Sequence, residues 1–111
     1  MFQDLDNIVE INLSNFNSSL LIDTCSMFFG CNSLKSLNLS NFNTSKVISM
    51  ANMFQDCQSL EVLDINSFDT SLVDNMGHMF KGCRSLKSLN LSNFHTSKVK
   101  FFDNILKTAI C

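Results

Sequence analysis

The stretch MFFGCNSLKSLNLSNFNTSKVISMAN, residues Met27 to Asn52, decides the reading of this chain, because most of the remaining sequence copies it. The pairs Met1-Phe2, Met27-Phe28, Met53-Phe54 and Met79-Phe80 recur at a constant spacing of 26. Repetition at such a period marks an array in which each unit buries its apolar edge only against its neighbours. One 26-residue unit cannot bury enough apolar surface to offset the entropy of ordering its own backbone. The units must therefore pack on one another. The 111 residues read as one domain over 1–111, with repeats at 1–26, 27–52, 53–78 and 79–104 and a partial or capping segment at 105–111.

Aligning the units gives columns. Ile8, Leu34, Leu60 and Leu86 form one; Ile11, Leu37, Leu63 and Leu89 the next; Leu13, Leu39, Ile65 and Leu91 a third. The last two alternate with polar residues, as in Ser36-Leu37-Asn38-Leu39-Ser40, which predicts a short strand with one buried face, paired in parallel with the strand of the next unit. A Phe follows each strand (Phe16, Phe42, Phe68, Phe94), and then a turn written Asn-Ser-Ser, Asn-Thr-Ser, Asp-Thr-Ser or His-Thr-Ser. Side chains of these types fold back on nearby backbone, favouring a turn and capping a following helix. In Lys46 to Cys57, the residues Val47, Met50, Phe54 and Cys57 are spaced three and four apart. That spacing predicts a helix of about two to three turns. Gly30, Asp56 and Gly82, with Asp4 in the first unit, stand where left-handed geometry would end it. The expected fold is α/β: a right-handed leucine-rich-repeat-like solenoid with one short parallel strand and one short helix per repeat.

Two columns are aromatic. Phe2, Phe28, Phe54 and Phe80, and separately Phe16, Phe42, Phe68 and Phe94, are expected to stand in files at the strand spacing, suited to offset ring stacking. Cys31, Cys57 and Cys83 repeat at the unit spacing and read as buried packing residues instead of a disulfide framework. Cys25 is expected to pack within the helix, and Cys111 lies at the terminus. His78 and His95 have no second ligand at metal-binding spacing, and His95 takes the turn slot held by Asn17, Asn43 and Asp69. The acidic residues of the third unit (Asp56, Glu61, Asp64, Asp69, Asp74) are spread along a whole coil. They lack the Gly and closing Glu of a calcium loop.

Composition narrows the function. The net charge of −2 supplies no field for a phosphate backbone or anionic lipid, so nucleic acid is not an expected partner. No run approaches the length of a membrane span, and the N-terminus has neither the basic leader nor the apolar core of a signal peptide. No cofactor, metal or catalytic group is expected. The outward side of the strand ladder offers a regular array instead. Asn12, Asn38, Asp64 and Asn90 form its central file, flanked by Glu10, Ser36, Val62 and Ser88 and by Ser14, Ser40, Asn66 and Ser92. The candidate binding residues are Ser36, Asn38, Ser40, Val62, Asp64, Asn66, Ser88, Asn90 and Ser92. Small polar groups in such an array suit a glycan or an extended peptide, with weak binding per layer raised by multivalency. Uncapped ends of the stack also invite end-to-end self-association.

The run MFxxCxSLxxLNLSNFxTSxV, complete in Met27 to Val47 and nearly so in Met53 to Val73 and Met79 to Val99, resembles the repeat of BspA-like leucine-rich-repeat surface proteins. The same repeat occurs in mycoplasma surface lipoproteins. The resemblance implies a leucine-rich-repeat solenoid displayed on or secreted from host-associated microbes, in some members linked to adhesion. One departure is plain: ordinary leucine-rich repeats carry Asn or Cys where this chain has Phe16, Phe42, Phe68 and Phe94. On these grounds the expected function is a non-catalytic interaction module binding a host protein or glycan through the strand face. The alternatives are an intracellular, cytoplasmic protein-interaction scaffold and a solenoid polysaccharide hydrolase or lyase. The last would need converging carboxylates or a cationic groove.

Overall fold

The computed structural model describes residues 2–101; Met1, the end of the fourth unit, the expected capping segment 105–111 and Cys111 lie outside the described residues. The described residues form two three-residue strands, β1 (Ser36–Asn38) and β2 (Val62–Asp64). They pair in parallel with Ser36 opposite Val62, Leu37 opposite Leu63 and Asn38 opposite Asp64. In the first unit the ladder shrinks to a single bridge between Glu10 and Ser36. The strands stay short because the side chain of Asn38 accepts the backbone N–H of Ser40 at 2.9 Å. Such an Asx turn steers the chain away from the ladder.

The expected α/β solenoid with a helix in each repeat is not what the chain forms, because the described residues contain no helix and one open two-stranded sheet. Backbone bonding between Thr24 and Cys31 gives the physical reason. The N–H groups of Met27, Phe29 and Cys31 donate three residues back, to the carbonyls of Thr24, Ser26 and Phe28. Those of Thr24, Ser26, Phe28 and Gly30 donate to the next unit, to Ser49, Ala51, Met53 and Gln55, at 2.8–3.0 Å. Cys25 N–H is taken by the Asp23 side chain at 2.8 Å. Every donor in the segment is thus satisfied without one helical i to i−4 bond. The pattern repeats one unit later, where Met50, Asn52, Phe54 and Asp56 donate to Asn75, Gly77, Met79 and Lys81.

Alternation of this kind needs the peptide planes to flip, and two left-handed residues per unit do it. Ser26, Asn52 and His78 have φ of 56°, 59° and 56°; Asp4, Gly30, Asp56 and Gly82 have 57°, 72°, 61° and 77°. All but Asp4 sit at the third position of a turn closed by an i to i+3 bond, the place where a type II turn requires positive φ. Left-handed geometry at Gly30, Asp56 and Gly82 was therefore the right expectation for the wrong element. For an L-residue it costs roughly 1–2 kcal/mol, offset here by the bonds to the next unit.

Val47, Met50, Phe54 and Cys57 are all fully buried, so the three-four spacing marks the core face of these linked turns. Phe2, Phe28, Phe54 and Phe80 stack at centroid distances of 5.4, 5.7 and 5.6 Å with planes within 7° of parallel. In the second file, Phe16 and Phe42 stack at 5.5 Å, Phe42 and Phe68 are buried and Phe94 is half-buried. Between the files and the turns runs a row of buried hydroxyls. Thr44 Oγ1 donates to the carbonyl of Asp69 at 3.0 Å and accepts the Asp69 N–H at 2.8 Å; Thr70 does the same with His95 at 3.1 and 2.7 Å. One side chain thereby joins two layers and satisfies both the N–H and the carbonyl of the residue it faces.

Candidate binding face

Of the nine predicted face residues, Asp64 is half-buried and the rest are exposed. The structure brings Ser36 beside Val62 and Asn38 beside Asp64 by ladder pairing. Ser88, Asn90 and Ser92 continue the surface without joining a strand. Asn90 Nδ2 donates to Asn66 Oδ1 at 3.1 Å, which ties the third and fourth units together on this side. Val62, 60% exposed, is the apolar member of an otherwise polar strip.

The central file does more structural work than its pattern suggests. Asn12, Asn38, Asp64 and Asn90 each accept the backbone N–H two residues on, at 3.0, 2.9, 3.1 and 3.0 Å. One side-chain oxygen in every layer is committed to the turn. The amide donors of Asn12 and Asn38 and the second oxygen of Asp64 remain for a ligand.

Other candidates separate cleanly. Cys31, Cys57 and Cys83 are buried free thiols that donate to the carbonyls of Phe2, Phe28 and Phe54 at 2.9, 3.1 and 2.9 Å. Burial pushes the Cys83 thiol up to about 12, and the neighbouring Cys31 thiol together with burial raises that of Cys57. Thiols raised in this way, Cys57 and Cys83, are poor nucleophiles, whereas hydrogen bonding with Cys57 lowers the buried Cys31 thiol. Cys25, expected to be packed in a helix, is instead exposed beside the Ser49 hydroxyl at 2.9 Å. The third unit's carboxylates take different partners: Glu61 meets Lys87 at 2.8 Å, Asp64 holds Asn66 N–H and Asp69 holds Ser71 N–H at 2.9 Å. His78 is half-buried, and its Nδ1 is a buried atom with no hydrogen-bond partner.

Two grooves open on this side. One of ≈ 270 Å³ lies between the first and second units against Glu10, Asn12, Asn38 and Asn41. A larger one of ≈ 480 Å³ lies between the third and fourth, lined by Asn66, Asp69, Ser71, Ser92, Asn93 and His95 among others. Asn66 and Ser92 belong to the predicted face; Asp69, Ser71, Asn93 and His95 were not in it. The signal that points to them is a break in the repeat. Here Asn66-Ser67 inverts the Ser-Asn order of Ser40-Asn41 and Ser92-Asn93.

Comparison with known families fits the repeat. A family model described as "Mycoplasma protein of unknown function, DUF285" matches residues 1–110. The chain belongs to that family. No curated protein and no solved structure matched. The 26-residue layers, the stacked Phe file and the polar face are thus features of a DUF285 chain, and its likeness to BspA-like proteins stands on the repeat motif alone.

Proposed function

We propose that this DUF285 chain is a non-catalytic interaction module of a mycoplasma surface protein, binding a host protein or glycan through the outward side of β1 and β2. The observation that carries this reading is the register. Ser36 pairs with Val62 and Asn38 with Asp64, so short polar side chains and one exposed Val repeat at the layer spacing on a surface held from behind by a packed core. A rigid periodic strip of this kind suits a ligand that is itself extended or repetitive, with modest affinity per layer and avidity along the array. Resemblance of the motif to BspA-like surface proteins supports the same reading.

Binding of the chain to immobilised extracellular-matrix proteins and to a glycan array tests it. A ligand should be found whose affinity falls about tenfold or more in Val62→Lys, as for a residue at the centre of a contact, while the melting temperature stays unchanged. Ligands that bind Val62→Lys and Ser36→Lys variants as well as the parent would refute the assignment of this face. A second reading, an intracellular interaction scaffold, is favoured by the four free thiols among the described residues, since cysteines stay reduced in the cytosol. A signal peptide or lipid-attachment motif encoded upstream would decide against it.

A further inference from the structure

In a stack of near-identical layers, most side chains are dictated by the layer above and below. Departures from the layer consensus are where a ligand site can be built into such a stack. Three such departures meet in the larger groove. Ser67, placed by the Asn-Ser inversion where other units carry Asn, turns its hydroxyl to the carbonyls of Leu39 and Phe42 at 3.1 and 3.4 Å. This leaves Asn66 at the surface, its carbonyl accepting Asn93 Nδ2 at 3.1 Å. The turn file, Asn17 and Asn43 in the first two units, changes to Asp69 and His95 in the next two. The groove runs between them.

Its chemistry excludes most ligand classes. Phe68 lines the groove but is 3% exposed, so no aromatic face is offered to an apolar molecule. Asp69 is its one carboxylate, which repels anions and falls short of the several oxygen ligands a hard cation needs. Hydrogen bonding from the Ser71 side chain and N–H holds the Asp69 carboxyl below the usual carboxylate range, so it stays an acceptor. A carboxylate has about four lone-pair sites, more than this turn uses. What fits is an uncharged molecule dense in hydroxyls.

We propose that the groove between the third and fourth units is a subsite for a neutral saccharide residue, with Asp69 accepting from adjacent ring hydroxyls and Asn66, Asn93 and His95 completing the polar walls. It rests on the strand-face reading through Asn66 and Ser92, which belong to both, and narrows the ligand to a glycan. The groove volume lies within the ~300–1,000 Å³ of small-molecule sites, but its openness makes a single site weak.

The test is an NMR titration of the 111-residue chain with methyl glycosides of glucose, galactose, mannose and N-acetylglucosamine. Asp69→Asn and His95→Asn are the informative variants, because each installs the residue already present at positions 17 and 43 and keeps an acceptor for the turn. At least one glycoside should shift the amides of Asn66, Ser71, Asn93 and His95. Its affinity should fall about tenfold or more in Asp69→Asn, the loss of a charge-assisted hydrogen bond, and stay unchanged in Leu20→Ser, an exposed first-unit residue outside both the groove and the strand face. Absence of shifts with all four glycosides, or equal affinity of Asp69→Asn, overturns the proposal. A macromolecular ligand lost in Val62→Lys with no glycoside response would refute the subsite and leave the strand face standing. A glycoside response without any Val62-dependent ligand would support the subsite and refute the broader face.

Discussion

Asp4, Gly30, Asp56 and Gly82 share one left-handed position in successive layers, and their alternation has a steric cause. A Cβ built on Gly30 would overlap the Asp4 carboxylate, and one on Gly82 would overlap that of Asp56. Each acidic side chain lies in the space that its neighbour's missing side chain leaves open. Gly82→Ala should therefore destabilise the chain by about 1–3 kcal/mol, from left-handed strain plus the clash. In an Asp56→Gly background the clash component should vanish, leaving the strain, and a double-mutant cycle read by urea unfolding measures the difference. Thr70 makes a second case at this scale. Thr70→Val keeps the volume but strips His95 of partners for both its N–H and its carbonyl, and should cost about 1–3 kcal/mol for the groups left unsatisfied. Thr70→Ser retains the hydroxyl and should cost clearly less in the same unfolding experiment.

The element that sequence reasoning misjudged is the segment between Thr44 and Cys57. Its apolar residues were identified correctly, for Val47, Met50, Phe54 and Cys57 are all buried, yet that spacing does not distinguish a helix from linked turns that bury the same side. Asn52, at φ 59°, and the N–H groups directed along the stack choose the turns, and neither shows in a single unit read alone. Strands at Leu37 and Leu63 were readable from the period of two, but the same alternation at Ile11 to Leu13 and Leu89 to Leu91 forms none, because the outer units lack a neighbour that completes the ladder. The candidate site divided the same way: exposure of Ser36, Asn38 and Val62 followed from the alternation, while the role of Asp69 and His95 depended on which layers meet. Stacking also grades the aromatic residues. Phe54 is flanked by rings on both sides and fully buried, so Phe54→Ala should cost about 3–5 kcal/mol. Half-buried Phe16 stacks with Phe42 and meets Phe2 edge-on at 6.4 Å and should cost less. Thermal unfolding of both variants checks the order.

At the scale of the whole molecule, layers are joined by several kinds of contact in the same register. Backbone N–H groups link the layers in both directions, forward as from Phe28 to Met53 and Leu39 to Asp64, and backward as from Lys35 to Val9, Ile48 to Ile22 and Glu61 to Lys35. Hydroxyls and rings bridge the interior. A slip of one residue would break all of these together, which makes the 26-residue spacing a physical requirement of the stack. Burial falls away from the second and third units, where Leu34, Leu37, Leu39 and Leu60 are enclosed, toward Ile8 and Ile11 in the first and Leu89 and Leu91 in the fourth. Thiol accessibility should follow that gradient and the layer plan. Peptide mapping after brief maleimide exposure should find Cys25 modified and Cys31, Cys57 and Cys83 protected until denaturant is added. The bonds between layers can themselves be observed, by NMR couplings that pass through hydrogen bonds. Couplings from the N–H groups of Ser26, Phe28 and Gly30 to the carbonyl carbons of Ala51, Met53 and Gln55 are the expected result, and couplings from Phe28 and Gly30 to the carbonyls four residues earlier, Thr24 and Ser26, would contradict it.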